Sequence, residues 1–253
     1  MSAEIVLMCL ASFGAGFFDA IVGGGGLIQI PALLLLFPQF APATVLGTNK
    51  LISISGTTVA AWQYARGGHV RWSDLRVAVL VAFIGSAMGA RLAVYLSAEV
   101  MRPLVAVLLI GVWLYTWRRK GLGLTPNIPA TRLHPQVVLS LLALVVGMYD
   151  GFFGPGTGSF LMFGMTTLLG MDFLQATAHT KVLNWTTNLA ALVTFGWQGQ
   201  VQWIFALPFV AANVLGGWLG SRLAMRCGSP LIRKLFLGVV AAILARLVWD
   251  MWR

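Results

Sequence analysis

Charge is what this sequence has least of. Only 9% of its 253 residues are Asp, Glu, Lys or Arg, against about 25% in an average soluble domain. That leaves too little polar surface to face water on all sides. Acidic residues are scarcest, 7 against 17 basic ones, for a formal net charge of +10. Cysteine is nearly missing: Cys9 and Cys227 lie in different segments, match no metal or redox spacing, and read as packing residues. No nucleotide-binding motif is present, so an ATP-driven pump would need a partner chain. The opening MSAEIVLMCLASFGAG has no basic n-region and reads poorly as a cleavable signal peptide. What is abundant is apolar sequence, 58% of residues with a mean hydropathy of +0.85, in runs that reach nearly from end to end. This is the composition of an integral membrane protein. The positive charge does not point to nucleic acid, because the basic residues sit in short loops and form no face or arm.

Ten apolar segments can be marked, five on either side of one basic, proline-containing linker. The first five cover about 3–20, 27–38, 43–65, 75–96 and 101–118. The second five cover about 136–153, 157–170, 175–196, 203–225 and 231–252. A full span needs roughly 20 apolar residues, so the second member of each set is short. It either spans or dips in and returns. The expected organisation is a membrane repeat over 1–122, a linker over 123–135 and a second repeat over 136–253.

The two sets are copies. At a constant offset of 131 positions Gly16 meets Gly147, Asp19 meets Asp150, Gly23 meets Gly154 and Gly25 meets Gly156. Lys50 meets Lys181, Trp72 meets Trp203, Gly85 and Gly89 meet Gly216 and Gly220, and Arg91 meets Arg222. Leucine matches would be cheap in such a chain; matches of glycine, tryptophan and charge are not.

Loop charge then chooses between parallel and inverted copies. If each half crosses an odd number of times, one side collects Arg66, Arg71, Arg76, the linker's Arg118, Arg119, Lys120 and Arg132, and Arg222, Arg226, Arg233 and Lys234. The other side keeps Arg91, Arg102, Arg246 and Arg253. An even number gives a much flatter division. Basic residues favour the cytoplasm, so the expectation is an all-α membrane protein of two inverted-topology repeats, each with four to five hydrophobic segments and a glycine-broken or re-entrant opening. The linker is then cytoplasmic and both termini are periplasmic.

Each half opens on an aspartate followed by a break, GFFDAIVGGGG (Gly16 to Gly26) and GMYDGFFGPGTGSF (Gly147 to Phe160). Irregular backbone at membrane depth survives only inside protein or along a wet cavity, and broken segments at matching positions of two halves point to a binding site. A helix starting after each break would aim free N–H groups at it, which suits an anion. Gly24, Gly25 and Gly26, with Gly156, Thr157, Gly158 and Ser159, are therefore candidate substrate contacts.

Lys50 and Lys181 occupy matching positions in otherwise uncharged segments, ATVLGTNKLISISGTT and QATAHTKVLNWTTN. A charge at such a place is costly and usually marks a pathway; the competing explanation is snorkelling to the headgroups. Hydrogen-bonding side chains cluster around both: Thr48, Asn49, Ser53 and Thr57 near the first, His179, Thr180, Asn184 and Asn188 near the second. Lys50–Ser53–Thr57 and Lys181–Asn184–Asn188 repeat one helical stripe. Hydroxyls and amides beside an ammonium suit an oxyanion with several acceptor oxygens. Asp19 and Asp150 have three open roles: carrying a coupling proton, coordinating a cation such as sodium, or pairing with the lysines. His179 is a further candidate for proton coupling. Most of the ten tryptophans fall near segment ends, as an interfacial belt requires.

These motifs, with GTNKL (Gly47 to Leu51), its counterpart HTKVLN (His179 to Asn184) and the GxxxGxR pattern at Gly85 and Gly216, resemble the sulfite exporter TauE/SafE family, also called the toluene sulfonate uptake permeases. The resemblance covers essentially the whole chain. It implies a bacterial inner-membrane transporter of sulfur-containing anions such as sulfite, sulfoacetate or sulfonates. The residues alone lead to a secondary transporter moving a small oxyanion by alternating access, with no cofactor and no metal. An anion channel or membrane assembly subunit is the alternative. An intramembrane enzyme is a distant third, because Ser159 and His179 lack a third partner and a G-x-S-x-G turn. Which anion, which direction, which coupling ion and whether the protein forms a homo-oligomer stay open at this level.

Overall fold

The computed structural model describes residues 2–93, 117–118, 122–126 and 133–251. Within them lie eight helices and no strand: α1 (Ser2–Val22), α2 (Gly26–Leu36), α3 (Pro42–Arg66), α4 (Trp72–Leu92), α5 (Pro135–Phe152), α6 (Thr157–Leu168), α7 (Phe173–Trp197) and α8 (Trp203–Met251). Helix α8 breaks at Gly228, whose φ of 67° is not helical, at the boundary expected between two segments there. The expected segment 101–118, apart from Trp117 and Arg118, and residues 127–132 of the linker lie outside the described residues.

Proline at the first turn starts α3 and α5, where its missing N–H costs nothing. Asp172 starts α7 by accepting the Gln175 N–H at 2.9 Å. Helices α1, α4, α5 and the Trp203–Gly238 part of α8 are long and apolar enough to cross a membrane. Leu10, Leu80, Val145 and Ile204 point outward from them. In water such a surface would be a liability; in lipid it is the required one. Helices α3 and α7 have 25 residues each, about 37 Å at a rise of ~1.5 Å, so they too are long enough to cross. Their polar stripes exclude a lipid-facing position, and both pack inside, against each other and against α8, with α7 also against α4.

The short segments fold back. Helices α2 and α6 have 11 and 12 residues, about 17 Å, half of the ~30 Å hydrocarbon layer. Gln29 of α2 donates to the Ser12 hydroxyl of α1 at 3.5 Å, and Ile30 and Leu33 pack with Met8. Phe160 of α6 meets Tyr149 of α5 edge-on, and Gly164 lies against Leu142. Each half thus opens on a helical hairpin with a long arm, a short arm and a glycine-broken tip.

Long arms pack on the other half. Helix α1 lies along α8, and α5 lies along α4. The close contacts correspond: Cβ atoms added at Gly85 and Gly89 would sit 2.6 and 2.0 Å from the Leu144 and Met148 carbonyl oxygens. At Gly216 and Gly220 they would sit 2.1 and 2.4 Å from those of Phe13 and Phe17. Leu144 and Met148 stand 131 positions after Phe13 and Phe17, so the repeat offset holds on both sides of each contact. Small residues let the backbones approach this closely, the usual basis of helix association in lipid.

Candidate functional site

The two hairpin tips meet. A Cβ on Gly23 would lie 2.3 Å from the Gly158 Cα, so the two backbones touch with no room for a side chain. Gly23 also holds φ at +77°, a region open to glycine at little cost. Ser159 donates its hydroxyl to the Val22 carbonyl at 2.8 Å, fastening the second tip to the first. Gly26 faces Pro155 across the same junction.

Into this junction each central helix sends its lysine, and each reaches the tip of the other half. Lys50 of α3 lies 2.8 Å from Asp150 Oδ1 and donates to the Asp150 carbonyl at 2.7 Å. Lys181 of α7 lies 2.8 Å from Asp19 Oδ2 and also donates to the Asp19 carbonyl. Both lysines are buried, at 2% and 0% exposure, which removes the snorkelling explanation. Asp19 and Asp150 sit in the last turns of α1 and α5. There the backbone carbonyls carry the negative end of the helix dipole and favour an ammonium.

The carboxylates are held from a second direction. Asp19 Oδ1 accepts the Gly25 N–H at 3.3 Å, at the start of α2. Asp150 Oδ1 accepts the Thr157 hydroxyl at 2.7 Å, at the start of α6. The N-terminal ends of the short helices do face an anion, and the anion is an aspartate of the chain itself. One difference separates the pairs. The Asp150 side chain is 3% exposed and its Oδ2 has no hydrogen-bond partner, whereas Asp19 is 18% exposed.

The remaining expected residues make contacts of their own. Asn49 and Thr180 are buried next to the lysines in sequence, and the Asn49 Oδ1 and Thr180 Oγ1 have no partner. Asn188 donates to Asn184 Oδ1 at 2.5 Å, so the amide stripe on α7 is partly self-satisfied. Thr57 turns its hydroxyl back to the Ser53 carbonyl, a bond within its own helix. Gly24 accepts the Leu27 N–H at 3.1 Å, and Gly156 accepts that of Phe160 at 3.1 Å; both cap the short helices. Thr48 is spent elsewhere, accepting the Gln202 N–H at 3.1 Å.

His179 belongs to a different place. Its Nδ1 lies 2.9 Å from the Gln175 carbonyl, and its Nε2 faces Asp74 Oδ2 at 3.9 Å. Arg71 pairs with Asp74 at 3.2 Å. With the amide oxygen turned toward the guanidinium, Gln175 accepts from Arg71 Nε and Nη2, each at 2.8 Å. Beside this cluster opens a cavity of about 600 Å³ lined by His69, Arg71, Asp172 and Gln175 among others. Ser159 and His179 have separate partners and do not form a pair with each other.

Sequence reasoning missed two tyrosines. Tyr64 of α3 donates to the Ala20 carbonyl at 2.9 Å, and Tyr149 donates to the Pro155 carbonyl. Each hydroxyl closes off a backbone acceptor beside a tip. Tyr149 precedes Asp150 directly and was visible in the motif, but its counterpart Phe18 lacks the hydroxyl, so the repeat gave no signal.

The model of the family described as sulfite exporter TauE/SafE matches residues 8–247. This chain belongs to the TauE/SafE family. Among its relatives, a probable membrane transporter protein ORF9 of Sinorhizobium sp is 40% identical over 97% of this chain and 93% of its own. A probable membrane transporter protein of Haemophilus influenzae is 36% identical over 97% and 94%. The probable membrane transporter protein YfcA of Escherichia coli K12 is 37% identical over 93% and 86%. No solved structure matches. The chain is thus a multi-pass membrane protein of a transporter family, and the paired hairpin tips are the charged centre of a TauE/SafE fold.

Proposed function

We propose that this protein is a secondary transporter that moves a small sulfur-containing anion, of the sulfite, sulfoacetate or sulfonate class, across the bacterial inner membrane. The carrying observation is the tip-to-tip junction, where a buried lysine from each half reaches the broken hairpin of the other. Two ammonium groups and two helix N-termini converge there, and a sulfonate or sulfite offers the three oxygens such a set of donors can satisfy. Asn49 and Thr180, which adjoin the lysines in sequence and have buried polar atoms without a partner, are the next contacts.

The exchange of contacts between halves supports the inverted-repeat reading over 1–122 and 136–253. Hairpins entering from opposite sides meet at their tips, whereas hairpins entering from one side would lie next to each other. Rocking of one half against the other about this junction would open it to each side in turn. Loop charge puts the 123–135 linker in the cytoplasm and the termini in the periplasm.

Purified protein screened by thermal shift against sulfite, sulfoacetate, isethionate, taurine, thiosulfate and small carboxylates tests the reading. A sulfur oxyanion should stabilise the wild type, and Lys50→Ala and Lys181→Ala should each weaken its binding at least tenfold. Binding by both variants that is unchanged from the wild type refutes the paired-lysine site. Stabilisation by carboxylates alone refutes the substrate class.

A further inference from the structure

We infer that Asp19 and Asp150 are internal stand-ins for the transported anion, and that each takes up a proton when the anion displaces it from its lysine. The proposal rests on the transporter reading and adds its coupling ion. It follows from where the carboxylates sit. Each bridges the two positive features of the junction, a lysine ammonium and the start of a short helix: Asp19 between Lys181 and the Gly25 N–H, Asp150 between Lys50 and the Thr157 hydroxyl. That is the position an entering sulfonate needs. Both lysines are engaged by a carboxylate and a carbonyl, so the junction as it stands is neutral and has no spare charge for a second anion.

An anion that takes over Lys50 leaves Asp150 with the Thr157 hydroxyl alone. Its Oδ2 is already buried without a partner, and an uncompensated carboxylate there is strongly unfavourable. No other cation faces it among the described neighbours. The titratable groups closest to the two tips are Tyr149 and Tyr64, whose hydroxyls already donate to the Pro155 and Ala20 carbonyls. Protonation restores balance: one H⁺ adds to the carboxylate to give a carboxylic acid, no other bond changes, and one negative charge enters with one positive charge. The carboxylic acid O–H is also a donor where the carboxylate had none. Asp19, with its 18% exposure, is the more accessible entry point for both species. The transport cycle thereby becomes electroneutral co-movement of a monovalent anion and a proton.

The test uses isethionate and methanesulfonate, monovalent anions neither of which changes protonation near neutral pH. Binding to wild-type protein in detergent is measured by calorimetry across that range, with proton uptake followed by an indicator in weak buffer. Because the bound state holds more protons, affinity should fall about tenfold per pH unit as pH rises, with about one proton taken up per anion. Asp19→Asn and Asp150→Asn, which keep an acceptor for the lysine, should retain binding while flattening the slope and reducing the uptake. Lysine-dependent binding with no pH slope and no proton uptake overturns this proposal and leaves the transporter reading intact. So does an unchanged slope in the Asp19→Asn/Asp150→Asn double variant. No binding of any of these anions at any pH, or binding indifferent to both lysines, removes the transporter reading and this proposal with it. Should an asparagine variant fail to fold, the wild-type slope and proton count decide the matter.

Discussion

Gly23→Ala tests whether the two hairpin tips truly bear on each other. Two costs add at this position. The first is local: φ of +77° puts an alanine in the left-handed region, at about 1–2 kcal/mol. The second is tertiary: the new Cβ would sit 2.3 Å from the Gly158 Cα and 2.4 Å from its carbonyl carbon, where carbon atoms prefer about 3.5–4.0 Å. Backbone cannot rotate out of the way as a side chain can, so the tips must separate by about 1 Å. A misfit of this kind costs about 1–3 kcal/mol. Gly68→Ala isolates the first cost, because Gly68 has φ of +75° and nothing within 4 Å of its added Cβ. The expected difference between the two variants is therefore about 2 kcal/mol. For a chain of this size that is about 4–8 °C in melting temperature, readable in detergent by tryptophan fluorescence. Separating the tips also strains the Ser159–Val22 bond and both lysine pairs, so Gly23→Ala should lose anion binding while Gly68→Ala keeps it. Equal melting of the two variants would refute the junction.

Three other outcomes are expected. Asp150→Ala strands the buried Lys50 ammonium and should cost about 3–5 kcal/mol, with Lys50→Met/Asp150→Leu costing clearly less than the sum of its single changes. Asp19→Ala should cost less than Asp150→Ala, since its carboxylate is partly exposed; a melting-temperature cycle that shows strict additivity contradicts the pairing. Cys227 is exposed beside the Gly228 break, so in a Cys9→Ser background it reports orientation. A membrane-impermeant maleimide should spare it in intact cells and label it after permeabilisation, and labelling of intact cells would reverse the assigned sidedness.

Much of the architecture was legible because lipid imposes it. Apolar runs with charged loops between them must become helices, since no water is available to satisfy exposed backbone, and boundaries such as Pro42, Pro135 and the break near Gly228 are local signals. Duplication was legible because glycines, lysines and aspartates recur at one spacing. The lysines were recognisable as candidates because a charge in such a segment is rare. Partners were less readable. His179 stands two positions from Lys181, yet a helix turns by ~100° per residue, and its ring faces Asp74 on α4 instead. Thr48 adjoins the stripe and is used by the Gln202 N–H. Tyr64 carries no motif at all.

By itself, then, the sequence determined class, the apolar segments that become helices, the duplication and the set of residues with unusual chemistry. Each of these depends on composition or on spacing along one chain. Tertiary structure alone decided that the short segments return as hairpins, that their tips meet at Gly23 and Gly158, and that each lysine pairs with the aspartate of the opposite half. A lysine close to its own half's aspartate in sequence and one that crosses to the other half's present the same pattern of letters. Only the packing of the two halves on each other brings Lys50 to Asp150 and Lys181 to Asp19, 100 and 162 positions apart, within hydrogen-bonding distance. Of the three roles open to the aspartates, that packing realises pairing with the lysines, and does so across the halves.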